Sequence, residues 1–160
     1  TFTRKAATEI RERLLERAHA LMNAVADAIA YTPGETDHGT TAAEALALGQ
    51  GVCQDHAHVF ITAARLLGFP ARYVSGYLET QPPPGETKQI GADASHAWFA
   101  VYVPYQGWVD FDPTNDQIPA DRHITVAWGR DYADVAPLKG VVFGGGRGHQ
   151  LEVAVDVERM

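Results

Sequence analysis

Residues 49–78 read GQGVCQDHAHVFITAARLLGFPARYVSGYL, and this stretch decides the fold. Gly49 and Gly51 allow a sharp turn just before Cys53. From Cys53 the apolar residues Ala57, Phe60, Ile61, Ala64 and Leu67 recur at helical spacing, which predicts a helix with one core face. Gly68 and Pro70 stop it. The period then changes to two, and Ala71 to Leu78 (ARYVSGYL) reads as a strand rich in aromatic and β-branched residues.

Working back towards the N-terminus, Thr41 and Glu44 form a possible capping box for a short helix, Ala42 to Leu48. Tyr31 to Gly39 is a loop by its Pro, Gly and Asp content. Ile10, Leu14, Ala18, Leu21, Met22, Val25 and Ile29 mark one face of a helix of about twenty residues. Towards the C-terminus, Glu79 to Ser95 carries PPPG and reads as a long exposed loop. His96 to Val103 (HAWFAVYV) follows as a strand, with His96, Trp98, Ala100 and Tyr102 on the face opposite Ala97, Phe99, Val101 and Val103. Pro104 to Gly107 makes a turn and Trp108 to Asp112 returns as a strand. Ile124 to Trp128 is a further strand, and Leu151, Val153, Val155 and Val157 alternate with polar residues as a final one. Helices first and strands after is an α+β pattern with an antiparallel sheet.

The 160 residues fit one domain, residues 1–160, with a sizeable core. Acidic residues outnumber basic ones, 20 to 13, and no basic stripe reverses that balance, so nucleic acid is not an expected partner. No apolar run approaches the roughly 20 residues that span a bilayer, so no membrane partner is expected either. The first residues are too charged for a secretory signal, which makes the cytoplasm the default location. The chain lacks an initiator Met, as expected of a domain excised from something longer. A single Cys forbids an internal disulfide.

That Cys has chemistry available to it. A thiol attacks as the thiolate, and a helix N-terminus favours an anion and offers unpaired N–H groups to an oxyanion. A buried structural Cys is the bland alternative. A thiolate also needs a base. Of the seven histidines, His96 stands out because it opens a strand after a long loop, on the face away from the apolar one. His56, three residues from Cys53, is a geometric rival, while His58 falls on a different face. The imidazole needs an orienting acceptor. A turn of four residues, 104–107, pairs Val103 with Trp108 and sets Asp112 opposite Phe99, so Asp112 needs a bulge or twist to meet His96. Asn115 and Asp116 compete for the role. Gln50 is a candidate oxyanion donor or a plain loop residue; Trp98 and Trp108 are candidate walls of a substrate cleft or core aromatics. A zinc site from Cys53, His56, His58 and His96 lacks the paired spacings such sites show, so no metal and no cofactor is expected.

Taken together, residues 49–78, then SHAWFAVYVPYQGWVDFDPTN at 95–115, resemble the transglutaminase-like superfamily, and within it a bacterial group of proposed cysteine proteases. The resemblance implies a papain-like α+β core, its N-terminal helices packed on an antiparallel sheet. By motif position it implies Cys53 in GVCQD as nucleophile, His96 in SHAW as base and Asp112 in FDPTN as orienting acid. Asp55 also matches a recurrent family position and reads as structural support, and a peptide or protein is the expected substrate. The expected reaction is acyl transfer through a thioester, which water would complete as a protease or amidase and an amine as a transamidase. A non-catalytic peptide- or protein-binding module that retains the fold is the alternative. No calcium-loop pattern is present.

Overall fold

The computed structural model describes residues 3–86, 93–136 and 154–158. Helix α1 (Arg4–Ala28) starts from Thr3, whose side chain accepts from Ala6 N, and is longer than its apolar periodicity predicts. Its fully buried residues all lie in its second half, Ala18, Met22 and Val25, whereas Ile10 is exposed. The helix ends at Ile29, and a two-residue strand β1 (Ala30–Tyr31) follows. Helix α2 (Ala42–Leu48) carries the predicted capping box: Thr41 Oγ1 accepts from Glu44 N, and the Glu44 carboxylate accepts from Thr41 N at 2.8 Å. Gly49, with φ 68°, closes it in the left-handed region that glycine adopts without penalty.

Strand β2 (Gln50–Gly51) then pairs in parallel with β1, Ala30 opposite Gln50 and Tyr31 opposite Gly51. Helix α3 (Cys53–Leu66) lies against the sheet through Ala57, Phe60, Ile61 and Ala64, while Leu67, assigned to its core face from the sequence, is exposed. Phe60 stacks on Phe99 with ring centroids 3.4 Å apart, and Phe99 stacks in turn on Phe111 at 5.5 Å. Burying each such ring contributes on the order of 1.5–3 kcal/mol, and the three form the seam between helix and sheet.

Strands β3 (Ala71–Leu78), β4 (Ala94–Val103), β5 (Gly107–Phe111) and β6 (His123–Gly129) form one antiparallel sheet in the order β5-β4-β3-β6. A short helix α4 (Tyr132–Val135) follows β6. Alternation sorts the sheet: Tyr73, Ala97, Phe99, Val101 and Phe111 join the main core, and Val74, Trp98 and Ala100 make a small cluster on the other face.

Two sequence expectations change here. The β4–β5 turn is a residue tighter than predicted: Val103 pairs with Gly107, Tyr102 with Trp108 and Phe99 with Phe111. The turn is closed by a Gln106 N to Val103 O bond and holds Tyr105 at φ 68° and Gly107 at φ 91°. The predicted final strand does not form over residues 154–158, although Asp93 N donates to Val155 O at 3.2 Å. Leu151, Val153 and the GGGRG run at 144–148 lie outside the described residues.

Candidate active site

Cys53 is the first residue of α3, and the backbone before it is held from two sides. The β1–β2 pair ties it to the end of α1, with Thr32 N donating to Gly51 O at 2.8 Å. The buried Asp55 carboxylate accepts from Val52 N at 2.8 Å and from Thr36 Oγ1 at 2.7 Å, capping the helix from within. Gly51 has to be glycine, because a Cβ there would stand 2.7 Å from Asp55 Oδ2. His56 is also buried; its ring nitrogens lie 2.9 Å from the carbonyls of Val52 and Ile29, so it braces this turn rather than facing the sulfur. Cys53 itself is partly exposed.

His96 lies near the start of β4, opposite Gly76 of β3. The tighter β4–β5 turn decides what it meets. A one-residue change of register moves every side chain of a strand to the other face. With Phe99 opposite Phe111, Asp112 falls on the His96 side instead of the apolar side, and no bulge is needed. Asp112 is fully buried and held just past β5 by a bridge to Gln117, N to O at 2.9 Å and 3.1 Å. Its Oδ1 accepts from the backbone of Thr114 (3.1 Å) and Asn115 (3.3 Å). Its Oδ2 accepts from His96 Nε2 at 2.8 Å, Asn115 Nδ2 at 2.7 Å and His123 Nε2 at 2.9 Å.

Burial alone would lower the His96 pKa, but hydrogen bonds to Asp112 and Cys53, with their charges, raise it to about 9. Burial would raise Asp112, yet the bonds from His123, His96 and Asn115 hold it well below the usual carboxylate range. His96 is thus joined to Asp112 by a hydrogen bond and to Cys53 by the electrostatic coupling that helps raise its pKa. The arrangement holds an imidazolium between two groups that favour it.

The other candidates are placed differently. Gln50 sits in β2, three residues before Cys53, and pairs with Ala30. Trp98 is fully buried beside His96, its Nε1 donating to Asp110 Oδ2 at 3.2 Å, so it faces no open cleft. Trp108 lies opposite Tyr102, six residues along β4 from His96, roughly 20 Å at about 3.3 Å per residue. There the Arg72 guanidinium is sandwiched between Trp108 (4.4 Å) and Trp128 (4.5 Å). His58 points elsewhere and accepts from Tyr132 N at 3.2 Å. Zinc ligation by Cys53 with His56 and His58 finds no support, since both rings are engaged by backbone groups. His123 was not singled out from the sequence, although it opens its strand after a loop just as His96 does. Asn115, weighed as a competitor of Asp112, instead bonds to it.

Comparison with known proteins agrees with this architecture. Residues 2–113 match the family model of the transglutaminase-like superfamily core. An uncharacterised protein of Mycobacterium tuberculosis is 43% identical over 148 residues, 90% of this chain and 47% of that protein. The chain thus spans about half the length of these mycobacterial relatives. A protein-glutamine gamma-glutamyltransferase of Pseudomonas aeruginosa is 30% identical over 100 residues, 59% of this chain and 15% of that enzyme. Among solved structures, a proposed cysteine protease from Cytophaga hutchinsonii superposes with a TM-score of 0.63 at 28% identity, covering 82% of this chain and 45% of its own. No helix among the described residues is long and apolar enough to cross a membrane. Its match across residues 2–113, together with helices packed on an antiparallel sheet, makes this chain a member of the transglutaminase-like superfamily.

Proposed function

We propose that this chain carries out cysteine-dependent acyl transfer on a peptide or carboxamide carbonyl, with Cys53 as nucleophile, His96 as proton carrier and Asp112 as its orienting acid. The observation that supports the reading is the position of His96, hydrogen-bonded to the buried Asp112 at 2.8 Å, with Cys53 among the groups that raise its pKa. Asp112 takes Nε2, which leaves Nδ1 as the nitrogen to face the sulfur. In the first half-reaction His96 carries the proton as its imidazolium while the Cys53 thiolate attacks the carbonyl carbon. The oxyanion that forms lies at the start of α3, where backbone N–H groups and the positive end of the helix dipole favour negative charge. His96 then gives the proton to the leaving amine as the C–N bond breaks, and a thioester remains. Water or a primary amine attacks the thioester in the second half, giving up a proton to His96 as the C–S bond breaks.

Relatives point to both outcomes: one is named a glutamyltransferase and another is described as a proposed protease. The test begins with the sulfur. Iodoacetamide is expected to label Cys53 rapidly in the native protein, and His96→Ala to label more slowly with a displaced pH profile. A native thiol no more reactive than the unfolded one would overturn the reading. Ammonia release and amine incorporation, followed on a glutamine-containing peptide, then separate hydrolysis from transamidation.

A further inference from the structure

The reaction just proposed makes use of one histidine, yet a second is bonded to the same carboxylate oxygen. His123 opens β6, at the edge of the sheet opposite β5. Its Nε2 donates to Asp112 Oδ2 at 2.9 Å, and its side chain is only 3% exposed. We propose that His123 is a positioning residue: by taking one side of Asp112 Oδ2, it confines His96 to the other and so aims the free nitrogen of the His96 ring at Cys53. This rests on the acyl-transfer reading for its consequence in catalysis, although not for its geometry.

Crowding around the carboxylate carries the argument. A carboxylate offers about four lone-pair sites on its two oxygens. Here Oδ2 receives three side-chain donors, His96, His123 and Asn115, and Oδ1 two backbone N–H groups. With more donors than sites, no donor can shift without displacing another, so the carboxylate cannot swing and His96 cannot follow it. Removing His123 leaves two donors for Oδ2, and the constraint on His96 is lifted.

The His123 ring is itself fixed. It stands edge-on against Trp98, centroids 5.2 Å apart at 84°, and Trp98 is locked by its bond to Asp110. The buried Trp98 thus acts on the site through His123. Gly76, paired with both His96 and Thr125, leaves room for this: a Cβ there would stand 2.7 Å from the Trp98 ring. One carboxylate is therefore gripped from both edges of the sheet, by the segment after β5 and by the first residue of β6.

His123→Ala and His123→Gln test the role, the glutamine amide replacing the Nε2 donor. Loss of a donor concentrates negative charge on Asp112, which then holds the His96 proton more firmly. In His123→Ala the ring titration of His96, followed by NMR in histidine-labelled protein, is expected to move to higher pH. Turnover of a glutamine-containing peptide is expected to fall about tenfold in kcat with KM within about twofold, the scale of one lost charge-assisted hydrogen bond. His123→Gln should restore both. A His96 titration unmoved in His123→Ala, or equally displaced in a folded His123→Gln, would overturn the proposal. Should His123→Ala fail to fold, His123→Gln decides alone: a wild-type His96 midpoint supports the role and a shifted one rejects it. If the wild-type protein neither labels at Cys53 nor turns over peptide, the functional reading fails while the His96 titration still reports on His123.

Discussion

Asp112 has no solvent to stabilise its charge, so its ionised form survives only through its five donors. Outweighing the effect of burial, hydrogen bonding to this carboxylate and to Cys53, with their charges, raises His96 to about 9, against about 6.5 for an unfolded histidine. A histidine whose folded pKa is raised stabilises the fold fully below its unfolded value and loses that contribution as pH rises through the folded one. Unfolding free energy is therefore expected to decline between about pH 6.5 and 9.5, and His96→Ala to flatten that decline; denaturant melts at several pH values measure it. An equal slope in the variant would show that His96 is not the titrating group. On the acid side Asp112, lowered below the ordinary carboxylate value, keeps its contribution above about pH 3.9 and loses it as pH falls further. At this scale Cys53 and His96 were legible because a turn, a helix start and a strand start locate them. Only the family resemblance points to Asp112, and nothing local points to His123, because both meet their partners across strands whose register the sequence does not print.

Elements were legible where local rules act alone. Helix α2 and strand β3 take the bounds that capping residues and period-two alternation predict. The hairpin is a residue tighter than predicted because Gly107, read as part of the turn, already pairs with Val103, and the turn takes Tyr105 through positive φ, which no glycine at that position signals. The β1–β2 pair, two residues per strand, is too short to leave any periodicity. Contact between elements also explains a glycine that the strand pattern disfavours. At Gly76 the β3–β6 register shifts, and an added Cβ would fall only 2.0 Å from Ile124 O. Backbone cannot yield as a side-chain tip can, so Gly76→Ala must push β6 away and draw His123 with it. A cost of roughly 3 kcal/mol is expected, read as a melting temperature lower by about 6–12 °C. A variant that melts with the wild type would show that β6 is loosely held.

At the scale of the molecule, helices and sheet have separate tasks. The face of the sheet towards α3 is apolar and carries the stability, through the Phe60–Phe99–Phe111 stack. The other face and the strand ends carry charge, with Asp112, His96 and His123 together and Arg72 held between two tryptophans. The α+β order was legible because apolar period changes once along the chain, at Gly68–Pro70. How the ends of β4, β5 and β6 converge was not, since it depends on sheet order. The separation of tasks can be measured. Phe60 lies two turns along α3 from Cys53, and its whole ring is buried. Phe60→Ala removes that stacking and leaves a cavity, at a cost of about 3–5 kcal/mol, or about 6–20 °C of melting temperature in a chain of this size. Because the bonds to Asp112 and the Asp55 cap do not pass through Phe60, iodoacetamide should label Cys53 in this variant at close to the wild-type rate well below its melting point. A rate reduced in proportion to the lost stability would mean that the core seam and the site are one cooperative unit, and that the helix start is held in place by the stack rather than by its own hydrogen bonds.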